Sequence, residues 1–383
     1  MERILFLMRY PLDEGYNLKQ KFMGQMRACV NLGYDVYHIG YDSKHYYLCS
    51  VNNGSRRIIG NTHLHNSKRY RNFIAFFDLY SSLAVVLDNE QFDYIYMRKK
   101  LVTTRAVSTL RKYKRNGGKL IVEIPTYGSK ESSLGFLRTI ANRFFAKSEL
   151  EFEHLVDLYT LIGNKCPNQY KSKPAIEIVN GISLDTIPIK KKPQLDSEIH
   201  MLAVASMRDW HGFDRIIDGM SSYLGDERLV LHLIGQDFDG SVGRWLKLAT
   251  ELGVATNVHY HGPLYDEKLT DMFDQCHIAI GSMAFHRMGI SIGSALKVRE
   301  YMARGIPFIY AYDDSILTGN EWFAIKYPSD DSGIDFNQVV PWIRSIYSRP
   351  DAIDEIRRFA CQYLSWETQF KPIFMKMREL YDE

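Results

Sequence analysis

Residues 293–307 of this 383-residue chain read GSALKVREYMARGIP. Ser294 stands where it can cap the amino end of a short helix, and Gly305, two residues before a proline, can end that helix. Short apolar runs flank the stretch, Ile278–Ile280 before it and Phe308–Tyr310 after it, and such runs are typical of buried strands. The region therefore predicts a strand, a loop, a helix and a second strand, which is the repeating unit of a parallel α/β sheet.

Two polar residues of the predicted helix indicate a ligand. In a parallel sheet, the loop and the start of the helix lie at the carboxyl edge, where free N–H groups and the helix dipole favour phosphate. Lys297, in the first turn, could reach an anion held there, and Glu300, one turn later, could accept hydrogen bonds from two ribose hydroxyls. The two residues would then hold a nucleoside diphosphate. The same spacing also fits an ordinary surface pair between a lysine and a glutamate three positions apart.

The composition excludes several classes of protein. The length and the 45% hydrophobic content allow sizeable cores and favour two domains. A net charge of +3 is too small to indicate a nucleic-acid partner. The five cysteines are scattered without a C-x-x-C pair, which fits reduced thiols in a cytoplasm better than disulfides or a zinc site. The first residues predict a strand rather than a signal sequence, and no run approaches the roughly 20 apolar residues of a membrane span. We therefore expect a cytoplasmic protein that meets a membrane, if it does so, from the inner face.

The first 180 residues alternate short apolar runs with longer amphipathic stretches, which predicts βαβ units and a parallel sheet. The expected strands are Ile4–Met8, Asp35–Ile39, Tyr94–Met97, Lys119–Ile124 and Leu158–Ile162. A turn at 179–185, followed by a lysine-rich stretch, predicts a domain boundary. The same rhythm then restarts, with expected strands at Met201–Ala205, Leu229–Ile234 and Val258–His261. The fold class is therefore α/β, with two doubly wound sheets in succession.

Four residues of the first half are candidates for contact with an acceptor. Gly15 lies in the turn after the first strand, where open N–H groups could receive a polar ligand, although an ordinary tight turn is the alternative. Glu123 ends the fourth strand just before a proline and Tyr127 follows it, so both could face a substrate. A lone glutamate at a strand end can also be merely solvated. Arg98 begins a run of basic residues.

That basic run extends from Tyr94 to Val122 and contains nine basic residues and no acidic one. A solvated helix face is one interpretation. The other is a surface that meets anionic lipid headgroups or a pyrophosphate-linked acceptor. An amphipathic stretch with Leu134, Leu137, Ile140 and Phe144 follows the run, so peripheral membrane contact is a second hypothesis.

Two further segments complete the description of the chain. Asp237 and Asp239 match the D-x-D pattern of metal-assisted sugar transfer, but two carboxylates one residue apart are common by chance, so we expect no metal. The tail from Ser365 onward is predicted to be helical, with an apolar stripe that must be buried.

Taken together, the segment 294–307, the turn at 179–185, the loop Trp210–Arg215 and the tail beginning Ser365-Trp366-Glu367 resemble the retaining glycosyltransferases of the GT-B fold. The members most similar are of the group 1 or family 4 type, which assembles bacterial polysaccharides and glycoconjugates. The resemblance implies two Rossmann-like domains that face each other across a cleft. Residues 1–183 would bind the acceptor, residues 184–364 would bind a nucleotide sugar, and the helix 365–383 would pack back on the first domain.

The resemblance also implies roles for individual residues. Glu300 matches the second glutamate of the family's paired-glutamate motif, which binds the nucleotide ribose. Gly235 and Gly262 end two strands of the second domain and belong to the implied donor site. The residues implied to lie near the diphosphate are Gly293, Ser294, Ala295, Leu296 and Lys297.

Two departures from the family pattern concern the donor sugar and the acceptor. The first glutamate of the pair is expected eight positions before Glu300, where this chain has Ile292. Contact with the hydroxyls of the donor sugar must therefore come from elsewhere. The histidine that many members carry at the end of the fourth strand is also absent, and residues 123–127 occupy its place.

A third departure concerns positive charge. Many members place an arginine and a lysine in the loop after the first strand of the second domain, where they neutralise the diphosphate. In this chain the two positions fall on Ser206 and His211. Arg208, Lys297 or Arg287 would have to substitute for the missing cations.

The predicted reaction is transfer of a glycosyl unit from a nucleoside-diphosphate sugar to a carbohydrate or lipid-linked acceptor, with retention of anomeric configuration. Arg208, Lys297 and the helix start would stabilise the charge of the leaving diphosphate, which itself takes the acceptor proton. This scheme needs neither a metal nor a cofactor. A catalytically silent partner subunit and a sugar-nucleotide epimerase are the alternatives. The sequence leaves open the sugar, the nucleobase, the acceptor and the oligomeric state.

Overall fold

The structure, a computed structural model, describes residues 1–12, 18–61, 71–125, 127, 136–163 and 166–381. Contacts within the chain divide it into two compact units. Unit 1 comprises Met1–Val179 with Trp366–Glu383, and unit 2 comprises Asn180–Ser365. Each unit is an α/β structure built on one main sheet. No helix in the described ranges is long and apolar enough to cross a membrane.

Unit 1 contains a nine-stranded sheet, ordered β4-β3-β2-β1-β5-β6-β7-β9-β8. Its strands are β1 (Arg3–Pro11), β2 (Asp35–Tyr41), β3 (His45–Ser50), β4 (Arg56–Asn61), β5 (Tyr94–Arg98), β6 (Lys119–Ile124), β7 (Leu158–Ile162), β8 (Gln169–Tyr170) and β9 (Lys173–Ile178). Its helices before the boundary are α1 (Lys19–Asn31), α2 (Arg71–Asn89), α3 (Thr104–Arg115) and α4 (Phe136–Leu155). The predicted strands are confirmed as β1, β2, β5, β6 and β7. The sequence does not predict β3, β4, β8 and β9, which lie toward the edges of the sheet.

Side chains of the unit 1 strands alternate between two cores, as the period of two in a strand requires. On β1, Leu5 and Leu7 pack on one face with residues of α2, α3 and α4, while Ile4 and Phe6 pack on the other face with α1. Both faces of the central strands are therefore buried. This explains why these strands are continuous apolar runs in the sequence.

Unit 2 contains a six-stranded parallel sheet, ordered β12-β11-β10-β13-β15-β17, and a two-stranded parallel sheet formed by β14 and β16. Its strands are β10 (Glu198–Val204), β11 (Arg228–Ile234), β12 (Val258–Gly262), β13 (Ile278–Ile280), β14 (Ile292–Gly293), β15 (Phe308–Tyr310), β16 (Asp313–Asp314) and β17 (Ala324–Lys326). Its helices are α5 (Phe213–Ser221), α6 (Ser241–Glu251), α7 (Asp266–Gln275), α8 (Leu296–Arg304), α9 (Phe336–Tyr347) and α10 (Ala352–Leu364). The predicted strands at β10, β11, β12, β13 and β15 are confirmed.

The order of the unit 2 strands places a topological switch beside β10. From β10 the chain continues to β11 and β12 on one side, and it then returns to β13 on the other side. Loops after β10 and β13 therefore leave the carboxyl edge in different directions. In open α/β sheets, ligands bind in the crevice that such a switch creates.

The predicted helix in the decisive stretch is present as α8, but its start differs from the prediction. The helix is capped at its amino end by Ala295, which supplies no side-chain hydrogen bond. The hydroxyl of Ser294 instead accepts hydrogen bonds from the backbone N–H of Asn180 at 3.2 Å and from Arg299 at 3.0 Å. The predicted cap at Ser294 is therefore wrong, because long-range partners occupy its side chain. The predicted end is confirmed: Gly305 is left-handed, with φ of 79°.

The last helix, α11 (Trp366–Glu379), belongs to unit 1 and packs on the same core as α1. Phe370 lies 5.1 Å from the ring of Tyr96, and Phe374 lies 4.3 Å from the ring of Tyr34, measured between ring centroids. The apolar stripe of the tail is thus buried against the strands of unit 1, and its burial explains why so many aromatic residues lie in this short segment.

Candidate functional site

The loop after β10 lies directly beside the loop after β13 at the switch point of unit 2. The backbone N–H of Met283 donates to the carbonyl of His211 at 2.9 Å, which joins the two loops. Gly235, at the end of β11, has φ of 140°, and a Cβ there would lie 1.7 Å from the carbonyl oxygen of Ala205. A glycine is therefore required where β11 ends against the first residue of this loop. The N–H of Gly235 donates to the carbonyl of Gly262 at 2.9 Å, so the two predicted glycines are adjacent.

His211 is buried at this edge and is surrounded by aromatic rings. Its ring centroid lies 3.8 Å from that of Trp210 and 5.5 Å from that of Phe213, with the Phe213 ring nearly parallel. Burial, followed by the positive charges of Lys297 and Arg208, holds the pKa of His211 well below its usual value. The imidazole is therefore neutral at physiological pH. The histidine that stands at a family cation position supplies no charge.

Lys297 is the basic residue in contact with His211. Its ammonium nitrogen lies 3.0 Å from Nδ1 of His211 and 5.1 Å from the centroid of the Phe213 ring. Burial lowers the pKa of Lys297 to about 7. In unit 2, all of which the structure describes, no carboxylate lies within ion-pair distance of this nitrogen. Lys297 is thus a partly buried basic side chain, and unit 2 supplies no counterion for it.

The two other candidate cations differ from each other. Arg208 lies with its guanidinium carbon 5.0 Å from the centroid of the Phe238 ring, and within the described residues it forms no ion pair. Arg287 is already neutralised. Its guanidinium donates to Asp214 at 2.6 Å and to Asp331 at 2.7 Å, and these hydrogen bonds raise its pKa. We therefore remove Arg287 from the set of substitute cations and retain Arg208.

Glu300 does not pair with Lys297, so the alternative of a surface pair between them is wrong. Its carboxylate accepts a hydrogen bond from Nε of Arg304 at 2.9 Å, and its side chain keeps 25% of its exposure. Lys297 turns instead toward His211. The role of Glu300 in holding a ribose stays a prediction, and the structure leaves this carboxylate within reach of solvent.

The start of α8 presents backbone groups beside Lys297. Because the helix begins at Leu296, the N–H groups of Leu296 and Lys297 have no carbonyl partner within the helix. Gly293, Ser294 and Ala295 precede them and are partly exposed. Ser206, in the loop after β10, is exposed. The structure therefore gathers Ser206, Arg208, His211 and Lys297 around one sheet edge, and their part in donor binding stays a prediction.

An ion pair that the sequence did not predict supports this loop. Arg299 donates from Nη2 to Asp314 at 2.7 Å, and both side chains are fully buried. The same nitrogen reaches Ser294, whose carbonyl accepts from Nδ2 of Asn180 at 2.8 Å. Arg299 is thus a structural residue that fixes the segment before α8. Its place on the buried face of a short helix was the one available signal.

In unit 1, Glu123 lies in a buried polar cluster. Its carboxylate accepts from Nζ of Lys21 at 3.1 Å, Nε2 of Gln25 at 2.7 Å and the hydroxyl of Tyr96 at 2.9 Å. Burial alone would raise the pKa of Glu123, but Lys21, Arg98 and these hydrogen bonds lower it. We therefore correct the prediction that Glu123 contacts a substrate directly. Its carboxylate is fully buried and already occupied.

The other acceptor candidates stay predictions. Arg98 pairs with Glu123 in the register of β5 and β6, and its Nε lies 4.0 Å from that carboxylate. Its Nη1 is buried and has no hydrogen-bond partner among the described residues. Tyr127 is partly buried, and its N–H donates to the carbonyl of Ile162 at 2.8 Å. Gly15 lies outside the described residues.

The basic run is balanced by acidic residues from other segments of unit 1. Arg111 pairs with Glu151 at 2.7 Å, and Lys112 pairs with Asp88 at 2.7 Å. Lys99 and Lys114 also have carboxylate partners, namely Glu149 and Asp157. The positive charge that the sequence concentrates in one segment is therefore partly neutralised in space. Side chains of the predicted amphipathic stretch at 134–144 lie outside the described part of the chain.

The two aspartates of the D-x-D pattern, Asp237 and Asp239, form hydrogen bonds with the backbone close to them in sequence. Asp237 accepts hydrogen bonds from the N–H groups of Asp239 and Gly240, and Asp239 accepts from the N–H of Ser241 at 3.1 Å. These bonds stabilise the turn before α6. Within the described ranges, no three histidine, cysteine or acidic residues are grouped in a way that could hold a metal ion.

No protein-family model matches the sequence, and no curated protein sequence matches it. Solved structures do match the fold. The sucrose-phosphate synthase of Thermosynechococcus elongatus is 14% identical, with a TM-score of 0.62 and 100% of both chains covered. The catalytic domain of starch synthase IV from Arabidopsis thaliana, bound to ADP and acarbose, is 11% identical, with a TM-score of 0.63 over 100% of this chain and 98% of its own.

A third match is the Anabaena protein HepE in complex with UDP-glucose. It is 11% identical, with a TM-score of 0.60 over 99% of this chain and 100% of its own. At such identities the likeness concerns the fold. These neighbours are GT-B glycosyltransferases, and because the similarity extends over the whole length, the chain has the GT-B fold.

Proposed function

We propose that the protein is a retaining glycosyltransferase. It would transfer a sugar from a nucleoside-diphosphate sugar to a carbohydrate or lipid-linked acceptor in glycan assembly. The observation that carries the proposal is Lys297, a basic side chain with no carboxylate partner within unit 2, at the switch point of the main sheet of that unit. Among the structural neighbours, HepE binds UDP and UDP-glucose, and starch synthase IV binds ADP, which supports a nucleotide-sugar donor.

The proposed chemistry follows from where charge develops. As the glycosidic bond to the diphosphate breaks, negative charge accumulates on the leaving phosphate. Lys297, Arg208 and the free N–H groups at the start of α8 would stabilise this charge, and Glu300 would hold the ribose. The leaving phosphate would take the proton of the acceptor hydroxyl on the same face of the sugar, so that configuration is retained. This scheme assigns no step to a metal.

We assign donor binding to residues 184–364 and acceptor binding to residues 1–183, with the helix 365–383 completing the acceptor domain. Gly15, Arg98 and Tyr127 are the acceptor-binding candidates that remain after the correction of Glu123. A cytoplasmic protein at the inner face of a membrane would suit a lipid-linked acceptor. Co-sedimentation with anionic and neutral vesicles tests that location, and equal recovery with both would remove electrostatic membrane contact.

The first experiment is a thermal-shift screen with UDP, GDP, ADP and dTDP, because a ligand that binds the folded state raises the melting temperature. The nucleotide that binds then selects the nucleotide sugars for transfer assays, and NMR of the product gives its anomeric configuration. We expect Glu300→Ala to weaken binding of that nucleotide about tenfold, since hydrogen bonds to a charged group contribute roughly 1.5–3 kcal/mol. Glu251→Ala, on the exposed face of α6, is the matched control.

Two alternatives differ in their products. A catalytically silent subunit is favoured by Ile292, which is 40% exposed where the family has a glutamate. Such a subunit would bind a nucleotide but show neither hydrolysis nor transfer. An epimerase would convert the nucleotide sugar in the absence of any acceptor. Unchanged nucleotide affinity in Glu300→Ala would remove that residue from the donor site.

A further inference from the structure

Lys297 and His211 share a hydrogen bond at the switch point, and His211 is held in place from several sides. Its Nδ1 lies 3.0 Å from Nζ of Lys297 and 3.2 Å from the hydroxyl of Ser282, and its ring also bonds to the backbone of Ser206. A neutral imidazole accepts at one nitrogen and donates at the other. Because the bond to the Ser206 backbone raises the pKa of His211, a ring N–H donates to that backbone, and we assign the tautomer in which Nδ1 accepts from the amine of Lys297 and orients it.

The charged groups around this pair do not supply a counterion. Arg208 faces His211 from the loop after β10 and is itself positive. On α8, the carboxylate of Glu300 is bound to Arg304. In the segment after β13, Arg287 is bound to Asp214 of α5 and to Asp331. Each acidic group near the pair in unit 2 thus has its own arginine.

A lysine in this position can exist in two forms. As a neutral amine, it donates one N–H to His211 and is tolerated by the aromatic surroundings. As an ammonium, it needs an opposite charge to compensate for lost hydration. A bound diphosphate supplies that charge. The proton would come from solvent and would form a bond with the lone pair of Nζ, while the N–H bond to His211 is kept.

We propose that Lys297 takes up a proton when a nucleoside diphosphate binds, and that His211 is the positioning residue that holds the amine for this purpose. This inference rests on the proposed function. It adds that the affinity for the nucleotide depends on pH, because Lys297 is fully charged only when the anion is present.

Isothermal titration calorimetry tests the proposal directly. The nucleotide found in the thermal-shift screen, and inorganic pyrophosphate as a second probe, are titrated at pH 8 in buffers with different ionisation enthalpies. At this pH the terminal phosphate of a nucleoside diphosphate, with its last pKa near 6, is already ionised, so protons taken up with this probe belong to the protein. Inorganic pyrophosphate still carries a proton at pH 8, so it reports binding of the anion and not the proton balance. With the pKa of Lys297 at about 7, uptake should approach one proton per nucleotide. The affinity should fall nearly tenfold for each pH unit above 8.

Variants of Lys297 and His211 distinguish the roles of the two residues. Lys297→Arg keeps a permanent charge, so it should bind without proton uptake and with little dependence on pH. His211→Gln cannot titrate but keeps an acceptor, so uptake should persist. His211→Ala should admit water to Lys297 and shift the midpoint of the affinity profile to higher pH, and His211→Gln should largely prevent that shift. Lys247→Ala, an exposed lysine of α6, should behave as the wild type.

The outcomes distinguish this inference from the function on which it rests. A binding enthalpy that is the same in all buffers at pH 8 would overturn the inference and leave the proposed function standing. Loss of uptake in His211→Gln would also overturn it, because His211 would then be the group that titrates. If neither a nucleoside diphosphate nor pyrophosphate binds the wild type, the proposed function itself fails.

Discussion

Lys21 in unit 1 and Lys297 in unit 2 are both weakly solvated, yet their surroundings are opposite. Burial lowers the pKa of each. Lys21 has the carboxylate of Glu123 at 3.1 Å, with both side chains almost fully buried. Within unit 2, Lys297 has the neutral His211 at 3.0 Å and no carboxylate. The comparison teaches that a buried lysine with its own carboxylate is structural, whereas a partly exposed lysine without one is available to an anion from outside.

The largest expected effect concerns stability. Lys21→Met should lower the free energy of unfolding by about 3–5 kcal/mol, because it removes the nearer cation of the buried Glu123 carboxylate and leaves Arg98, whose Nε lies 4.0 Å away. Lys297→Met should change it by less than about 1 kcal/mol, since no charged group of unit 2 loses its partner and Nδ1 of the neutral His211 keeps its bond to Ser282. Urea unfolding of both variants measures the difference. A double variant Lys21→Met with Glu123→Leu should lose less than Lys21→Met alone. Equal losses of stability in Lys21→Met and Lys297→Met would contradict the distinction between the two lysines.

The next largest effect concerns binding of the nucleotide, where Lys297→Met should have a larger effect than Lys21→Met. Lys297→Met should weaken binding of the nucleoside diphosphate by roughly 10- to 150-fold, because a charge-assisted hydrogen bond contributes about 1.5–3 kcal/mol. Calorimetric titration of variants that remain folded gives the affinities. Arg208→Met should have a smaller effect, since its guanidinium stacks on the exposed ring of Phe238. An unchanged affinity in Lys297→Met would assign the anion to another site.

A buried histidine of unit 2 makes the free energy of unfolding depend on pH. His232 is buried between His200 at 2.9 Å and His261 at 3.0 Å, and burial lowers its pKa to about 3. Its unfolded pKa is near 6.5, so the unfolded chain binds the extra proton first as pH falls. Stability should therefore decrease by about 2 kcal/mol between pH 7 and pH 5.

Urea unfolding of the wild type and of His232→Gln at the two pH values tests this expectation. The variant keeps a hydrogen-bonding side chain but cannot be protonated, so it should lose less stability on acidification. If both proteins lose the same amount, other groups account for the acid sensitivity.

The smallest effect is expected where a cation is paired but exposed. Lys112 and Asp88 lie 2.7 Å apart, with side chains 67% and 57% exposed. Lys112→Ala should change the free energy of unfolding by less than about 0.5 kcal/mol, because water screens such pairs. Thermal and urea unfolding would measure it. A loss comparable to that of Lys21→Met would show that pairing alone, rather than pairing in a buried place, sets the energy.

Local pattern was sufficient for much of the fold. Apolar runs of the right length predicted the central strands of both sheets, because those strands are buried on both faces. Gly305 predicted the end of α8 because this signal depends on the left-handed conformation of one residue and on no distant partner. The edge strand β4 was missed because none of its residues is buried, which removes the apolar signal.

The sequence by itself determined the two α/β units, the helix at 296–304 and the residue types that could hold a diphosphate. The tertiary structure alone decided which of those residues are available. In the folded chain Ser294 is hydrogen-bonded to Arg299, Arg287 is paired with three aspartates, and Glu123 is paired with Lys21. Lys297 lies against His211, 86 positions away in the sequence. The physical reason is that helix and strand periods are properties of neighbouring residues, whereas the charge of a side chain depends on burial and on partners that only folding brings together.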